Sequence, residues 1–134
     1  MATYVKVTEL KIEKIFDDKL KKEVLAKMTS IVNAAIKDES KLTSDAPKDK
    51  TTRGWELLGK LSSMAVDGDN LRAKSEFQIN VIPGPTLARK VPADSKLPLG
   101  KTGKPTQADA IQLIEAQTKA AMEKAITFMS SKEP

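Results

Sequence analysis

The most constraining feature of this chain is an almost unbroken alternation of apolar and polar residues between Leu71 and Ile82. The apolar parity comprises Leu71, Ala73, Phe77, Ile79 and Val81, and the polar parity comprises Arg72, Lys74, Glu76, Gln78 and Asn80. A period of two places successive side chains on opposite faces of a sheet, so this segment is predicted to be a strand with one buried face. The preceding segment repeats the pattern from Trp55, and the intervening Asp67-Gly68-Asp69-Asn70 has the composition of a turn. The sequence therefore predicts a β-hairpin over Trp55–Ile82.

The register of this hairpin follows from which residues must share a face. A turn centred on Gly68 aligns the pairs Trp55–Val81, Leu57–Ile79, Gly59–Phe77 and Ala65–Leu71. A two-residue turn at Gly68-Asp69 would instead oppose Phe77 to Lys60 and Val81 to Glu56. Because a slip of one residue moves every side chain to the other face, burial of one face favours the first register along the whole hairpin.

Two amphipathic helices are predicted to flank the hairpin. The first follows a capping residue at Asp17 or Asp18, and its stripe comprises Leu20, Val24, Met28, Ile31, Val32, Ala35 and Ile36. The last follows Thr106, and its stripe comprises Ala110, Ile114, Ala121, Met122, Ala125 and Met129. Residues 4–16 fit either a strand bulged near Thr8 or Glu9 or a helix that starts at Thr8, and their β-branched residues favour the strand.

The element order β-α-β-β-α predicts an α+β fold, a small antiparallel or mixed sheet with two helices packed on one face. We expect a single domain over residues 1–134, with long loops at 38–54 and 83–105. The second loop contains five prolines, which exclude a long helix or a central strand. The hairpin should tether both loops at its open end, far from Gly68.

Positive charge is concentrated in the second loop. The formal net charge is +5, and residues 83–105 hold Arg89, Lys90, Lys96, Lys101 and Lys104 against Asp94 alone. With Arg53, these cations predict a binding site for an anion or a nucleic acid. A mobile loop that carries lysine for solubility is the alternative interpretation.

The chain contains neither cysteine nor histidine. This excludes disulfides, thiolate metal sites and every catalytic group built on a thiol or an imidazole. Gly100-Lys101-Thr102-Gly103 has the form of a nucleic-acid-binding loop, but the prolines around it remove the flanking elements that such loops need. We expect a protein that is not an enzyme and that uses no cofactor and no metal.

The outward parity of the hairpin predicts a surface for a partner. It combines charged residues with Leu58, Met64, Val66 and Ile82. Apolar side chains on a face that should contact solvent indicate that another molecule covers part of it, for example a second copy of the chain. The alternative is that they are scattered surface hydrophobic residues, which need no partner. The open edges of a small sheet offer strand addition as a second route to assembly.

These patterns lead to one functional hypothesis and one alternative. The first is a non-enzymatic interaction or assembly module that binds a protein partner or itself as a homo-oligomer, with the basic loop 83–105 becoming ordered on binding. The alternative is a non-specific nucleic-acid-binding protein that uses the same loop. No apolar run reaches the ~20 residues of a membrane span and the N-terminus lacks a signal-peptide pattern, so a cytoplasmic location is expected.

Overall fold

The computed structural model describes all 134 residues. Its elements are β1 (Thr3–Ile12), α1 (Lys21–Lys37), β2 (Leu42–Thr43), β3 (Gly54–Asp67), β4 (Asn70–Ile82), β5 (Thr86–Pro98) and α2 (Gln107–Ser131). The strands form one mixed sheet in the order β2-β1-β3-β4-β5. β1 runs parallel to β2 and β3, whereas β3, β4 and β5 form an antiparallel meander. The predicted α+β class, with a small mixed sheet and two helices packed on one face, is confirmed.

The N-terminal segment is the predicted strand, and it carries the predicted bulge between Val7 and Glu9. Val7 pairs with Leu57 before the bulge, and Leu10 pairs with Gly59 after it. The extra residue reverses the side-chain parity, so the apolar residues on both sides of the bulge face the helices.

Both helices begin as their sequences predict. The Asp17 carboxylate accepts a hydrogen bond from the Lys19 N–H (3.0 Å) in a short 3-10 turn that leads into α1. Thr106 and Asp109 form a reciprocal capping box at the start of α2, with distances of 2.9 and 3.2 Å. Lys27 of α1 contacts Glu115 of α2 at 2.9 Å, and the two helices run side by side in the same direction.

The predicted hairpin register is correct in one half and wrong in the other. Trp55 pairs with Val81, Leu57 with Ile79 and Gly59 with Phe77, as expected. A bulge between Leu61 and Ser63 then shifts the register, so that Leu71 pairs with Val66 rather than with Ala65. The shift produces a two-residue tip at Gly68-Asp69, and the inserted Ser62 lets both registers keep their apolar residues on the helix side.

The prediction of one long loop at 83–105 is wrong, because Thr86–Pro98 forms β5. Leu99 donates its N–H towards β4, to Asp69 O (2.9 Å). Because successive peptide groups of a strand point to opposite sides, the nitrogens of Pro98 and Pro92 point away from β4, towards the free edge. Proline is tolerated at such positions because no ladder hydrogen bond is lost there. The chain at 38–54 is also interrupted, since Leu42–Thr43 forms β2 and Gly54 begins β3.

The two long connections do not lie together as expected. β5 carries the chain along the full length of the sheet, so residues 99–106 lie beside the hairpin tip. Residues 44–53 lie at the opposite pole, where β3 begins. A strand rises by about 3.3 Å per residue, so β5 ends at the opposite end of the sheet from where it starts, and this separates the two connections.

One buried hydroxyl group has no hydrogen-bond partner. Ser75 Oγ donates to Gln117 Oε1 and Gln117 Nε2 donates to Ala73 O, both at 2.8 Å, whereas the Thr118 hydroxyl is buried and unpaired. We expect Thr118→Val to stabilise the fold by about 1 kcal/mol in urea unfolding, because it removes an unsatisfied polar group at nearly constant shape.

Ser75→Ala is the matched control for this prediction. It leaves the amide oxygen of buried Gln117 without its donor, so it should destabilise the fold by about 1–3 kcal/mol. A loss of stability in Thr118→Val would show that the hydroxyl makes an interaction that the structure lacks.

Candidate interaction surfaces

The predicted apolar patch does not form. Met64 is fully buried against the helices, and Val66, although 46% exposed, pairs with Leu71 on the helix side of the sheet. Only Leu58 and Ile82 keep the predicted outer orientation, and about 13 Å of strand separates them. The prediction is therefore wrong for Met64 and Val66, because the bulge at Ser62 exchanges the two faces near the tip.

A hydrogen-bonded polar network occupies the centre of the outer sheet face instead. Glu56 on β3 accepts hydrogen bonds from Thr8 Oγ1 of β1 (2.8 Å) and from Asn80 Nδ2 of β4 (2.9 Å). Gln78 Nε2 donates in turn to Asn80 Oδ1 at 3.0 Å. These side chains satisfy one another across three strands, so this part of the face does not need a cover.

Ion pairs fill the outer face near the hairpin tip. Arg72 holds Asp94 in a two-pronged contact (2.8 and 2.6 Å) and also reaches Asp67 at 3.2 Å. The hydrogen bonds from Arg72 lower the pKa of Asp94, and the same contacts raise the pKa of Arg72. Both groups therefore remain charged and paired, and this part of the surface is polar.

The other shifted carboxylates have local causes. Hydrogen bonds from Thr51 lower the pKa of Asp49 in the connection between β2 and β3. Hydrogen bonds from Lys27, and then from Lys119, lower the pKa of Glu115 at the contact between the helices. Each shift favours the charged form of an exposed acid, which is the reverse of what a general acid at neutral pH requires.

The six cations predicted to bind an anion are not brought together. Arg53 Nε donates to the Pro134 carbonyl oxygen (3.0 Å), whereas Arg89 lies 5.5 Å from the centre of the Phe128 ring on the helix side. The outer face carries Lys90, 4.0 Å from Glu76, and Lys96, 3.8 Å from Asp67. Lys101 and Lys104 are exposed beyond β5, about 40 Å of sheet away from Arg53. No single basic surface joins them.

The remaining concave surfaces are shallow. One lies between the helices and is lined by Ile31, Ala34, Met122 and Ile126 among others. Nowhere in the 134 residues do three acidic side chains cluster so that they could hold a metal ion. Neither helix combines the length and the apolar character that crossing a membrane requires.

The edge formed by β1 is open over most of its length, because β2 covers only Thr3 and Tyr4. Thr3 donates its N–H towards β2, to Lys41 O (2.9 Å). Because successive peptide groups of a strand point to opposite sides, those of Val5 and Val7 point to the same side as that of Thr3. Glu13 donates to Leu61 O of β3 (2.8 Å), and alternation back from it points Leu10 and Ile12 to the free edge. Apart from the Val5 N–H, which the parallel ladder directs to β2, the outward peptide groups of Val5–Ile12 have no strand partner.

The opposite edge is formed by β5. The backbone N–H and C=O groups that point away from β4 belong to Leu87, Lys90, Pro92, Asp94, Lys96 and Pro98, and the two prolines have no N–H to donate. Leu87 is 52% exposed and is one of the few large apolar side chains in contact with solvent. Sequence reasoning missed this edge, although the prolines exclude only a central strand.

Comparison with known proteins places the fold but not a family. No family model matches the chain, and no curated protein matches it. Among solved structures, a Chlamydia trachomatis protein described as hypothetical is 9% identical, with a TM-score of 0.61 over 97% of this chain and 96% of that chain. A Xanthomonas campestris protein of the family model DUF330 is 8% identical, with a TM-score of 0.58 over 98% and 86%. A chain of the PelC dodecamer from Paraburkholderia phytofirmans is 7% identical, with a TM-score of 0.56 over 91% and 88%. At these identities the chain shares its fold with these proteins.

Proposed function

We propose that this protein is a non-enzymatic structural subunit that assembles with copies of itself through the edges of its sheet. The observation that carries the proposal is the unpaired edge of β1 from Val5 to Ile12. A long unpaired edge is a template for another strand, and proteins that remain monomeric usually shorten it or cover it.

The alternative assembly surfaces are weaker. The outer face satisfies its own polar groups and lacks the predicted apolar patch. The segment expected to order on binding is already paired with β4 as a strand. The PelC chain, which shares the fold, is described as part of a dodecamer, and this supports an assembling role. No comparable observation favours binding to a nucleic acid, because the predicted cations are dispersed.

Size-exclusion chromatography with light scattering tests the proposed function. We expect a discrete species whose mass is a multiple of 14.6 kDa and which dissociates on dilution. Val66→Asp, which adds a charge at the exposed hairpin tip away from both edges, should leave the mass unchanged. A monomer at the highest attainable concentration would contradict the proposal.

A further inference from the structure

We infer that the strand received by the β1 edge is β5 of a second copy, paired in parallel and head to tail. This inference rests on the proposed self-assembly and specifies its interface. It follows from the order in which residues align across the sheet, from the free peptide groups at the two edges and from the side chains beside them.

The two edges of the sheet begin at the same level. The paired residues Val5, Trp55, Val81 and Thr86 form one row across β1, β3, β4 and β5. β2 ends in the preceding row, where Thr43 pairs with Tyr4. A neighbouring copy at the same height therefore places its Thr86 beside Val5, where β2 stops, so β2 and the incoming strand occupy consecutive parts of the β1 edge.

The backbone groups at the two edges are complementary. The peptide groups of β1 that point to the free edge belong to Val5, Val7, Leu10 and Ile12, which lie in alternate rows counted from Val5. β5 points outwards in the intervening rows, through Leu87, Lys90 and Pro92. A parallel ladder requires such an alternation between neighbouring strands. Within the shared rows only Pro92 lacks a donor.

The side chains beside each other in these rows are compatible. The row of Glu9 passes through Leu58 and Gln78 to Lys90, so Glu9 meets Lys90 of the next copy. In the preceding rows Lys6 meets Leu87, and its aliphatic stem can cover that exposed apolar side chain. Lys11 meets Pro92, so no row of the shared stretch opposes like charges on the outer face.

The direction of the strands determines the symmetry. β5 runs in the same direction as β1, so successive copies are related by rotation about an axis along the strands. Such a heterologous interface produces a closed ring when the rotation closes. Antiparallel pairing of two β1 edges over Val5–Ile12 is disfavoured, because it would oppose Glu9 to Glu9 of the second copy and Lys6 to its Lys11 on the outer face.

Charge reversal at Glu9 and Lys90 tests the inference. Both side chains are about half exposed, at 55% and 54%, so reversal leaves the monomer fold intact, as circular dichroism would verify. Glu9→Lys and Lys90→Glu should each weaken assembly about tenfold, because a like-charged pair replaces an opposite one in every interface. An equimolar mixture of the two variants should recover assembly. Where the copies alternate, the lysine introduced in one copy meets the glutamate introduced in the other, and the next interface keeps the original pair of Glu9 and Lys90. Only a ring with an odd number of copies then retains one like-charged contact. Lys74→Glu, on the central strand β4, is the matched control and should assemble normally.

The outcomes separate this inference from the proposed function. If the wild-type chain assembles and both reversals leave its mass and dissociation unchanged, the inference is overturned and self-assembly stands. The inference is also overturned, with self-assembly standing, if each reversal weakens assembly and the mixture fails to recover it. A monomeric wild-type chain overturns both proposals, whereas weakening by each variant with recovery in the mixture supports both.

Discussion

Replacing Gly59 with valine is expected to destabilise the protein by about 3 kcal/mol or more, since the site has no room for a side chain. A Cβ atom at this position would lie 2.5 Å from Phe77 Cε1, 2.7 Å from Phe77 Cδ1 and 2.9 Å from Leu10 Cδ2. Phe77 is fully buried, and Leu10 packs against the same core, so neither can move aside freely. Equilibrium unfolding in guanidinium chloride would measure the loss as a lower midpoint.

Gly100→Ala is the matched control for this substitution. Gly100 has no neighbour within 4 Å of its hypothetical Cβ and has no positive φ, so alanine there should change stability by no more than about 0.5 kcal/mol. Phe77→Leu should recover part of the loss in a Gly59→Ala background, because a smaller side chain opens space beside the new methyl group. Wild-type stability in Gly59→Val would contradict the pairing of Gly59 with Phe77.

Replacing Met64 with aspartate is expected to destabilise the fold by about 3–5 kcal/mol, because it buries a carboxylate without a partner. Met64 is fully buried and pairs with Ala73, which is also fully buried. Thermal unfolding followed by circular dichroism would show a large drop in melting temperature.

Ala65→Asp separates the two possible registers at the hairpin tip. Ala65 is exposed and pairs with Arg72 on the outer face, so aspartate there should change stability by no more than about 0.5 kcal/mol. The register centred on Gly68 predicts the opposite order, with Ala65 inside and Met64 outside. If Met64→Asp left stability unchanged and Ala65→Asp lowered it, the result would support the register centred on Gly68 instead.

The hairpin shows how far pattern alone determines structure. The almost unbroken alternation from Leu71 to Ile82 specifies which face of β4 is buried, and the pairs from Trp55–Val81 to Gly59–Phe77 follow from it. The register near the tip could not be derived in the same way, because a bulge relaxes the constraint of period two. The adjacent Ser62 and Ser63, between the buried residues Leu61 and Met64, are the local signal of that bulge.

The candidate site was only partly accessible from sequence. The hypothesis of open sheet edges came from the small number of predicted strands, but the patch of Leu58, Met64, Val66 and Ile82 depended on the incorrect register. The sequence did not predict β5, because a segment rich in proline is typical of a loop when its neighbouring strands are unknown. At an edge those prolines leave every hydrogen bond to β4 intact, and only the strand order shows that they lie there.

By itself the sequence determined the α+β class, the two helices with their caps and the buried face of the central strands. These properties depend on contacts between residues close along the chain, where period and capping chemistry are sufficient. The tertiary structure alone decided which strand lies at each edge, that the tip exchanges its two faces, and that the lysines are dispersed. Those properties depend on pairing between distant segments, where one inserted residue or one added strand changes which groups meet.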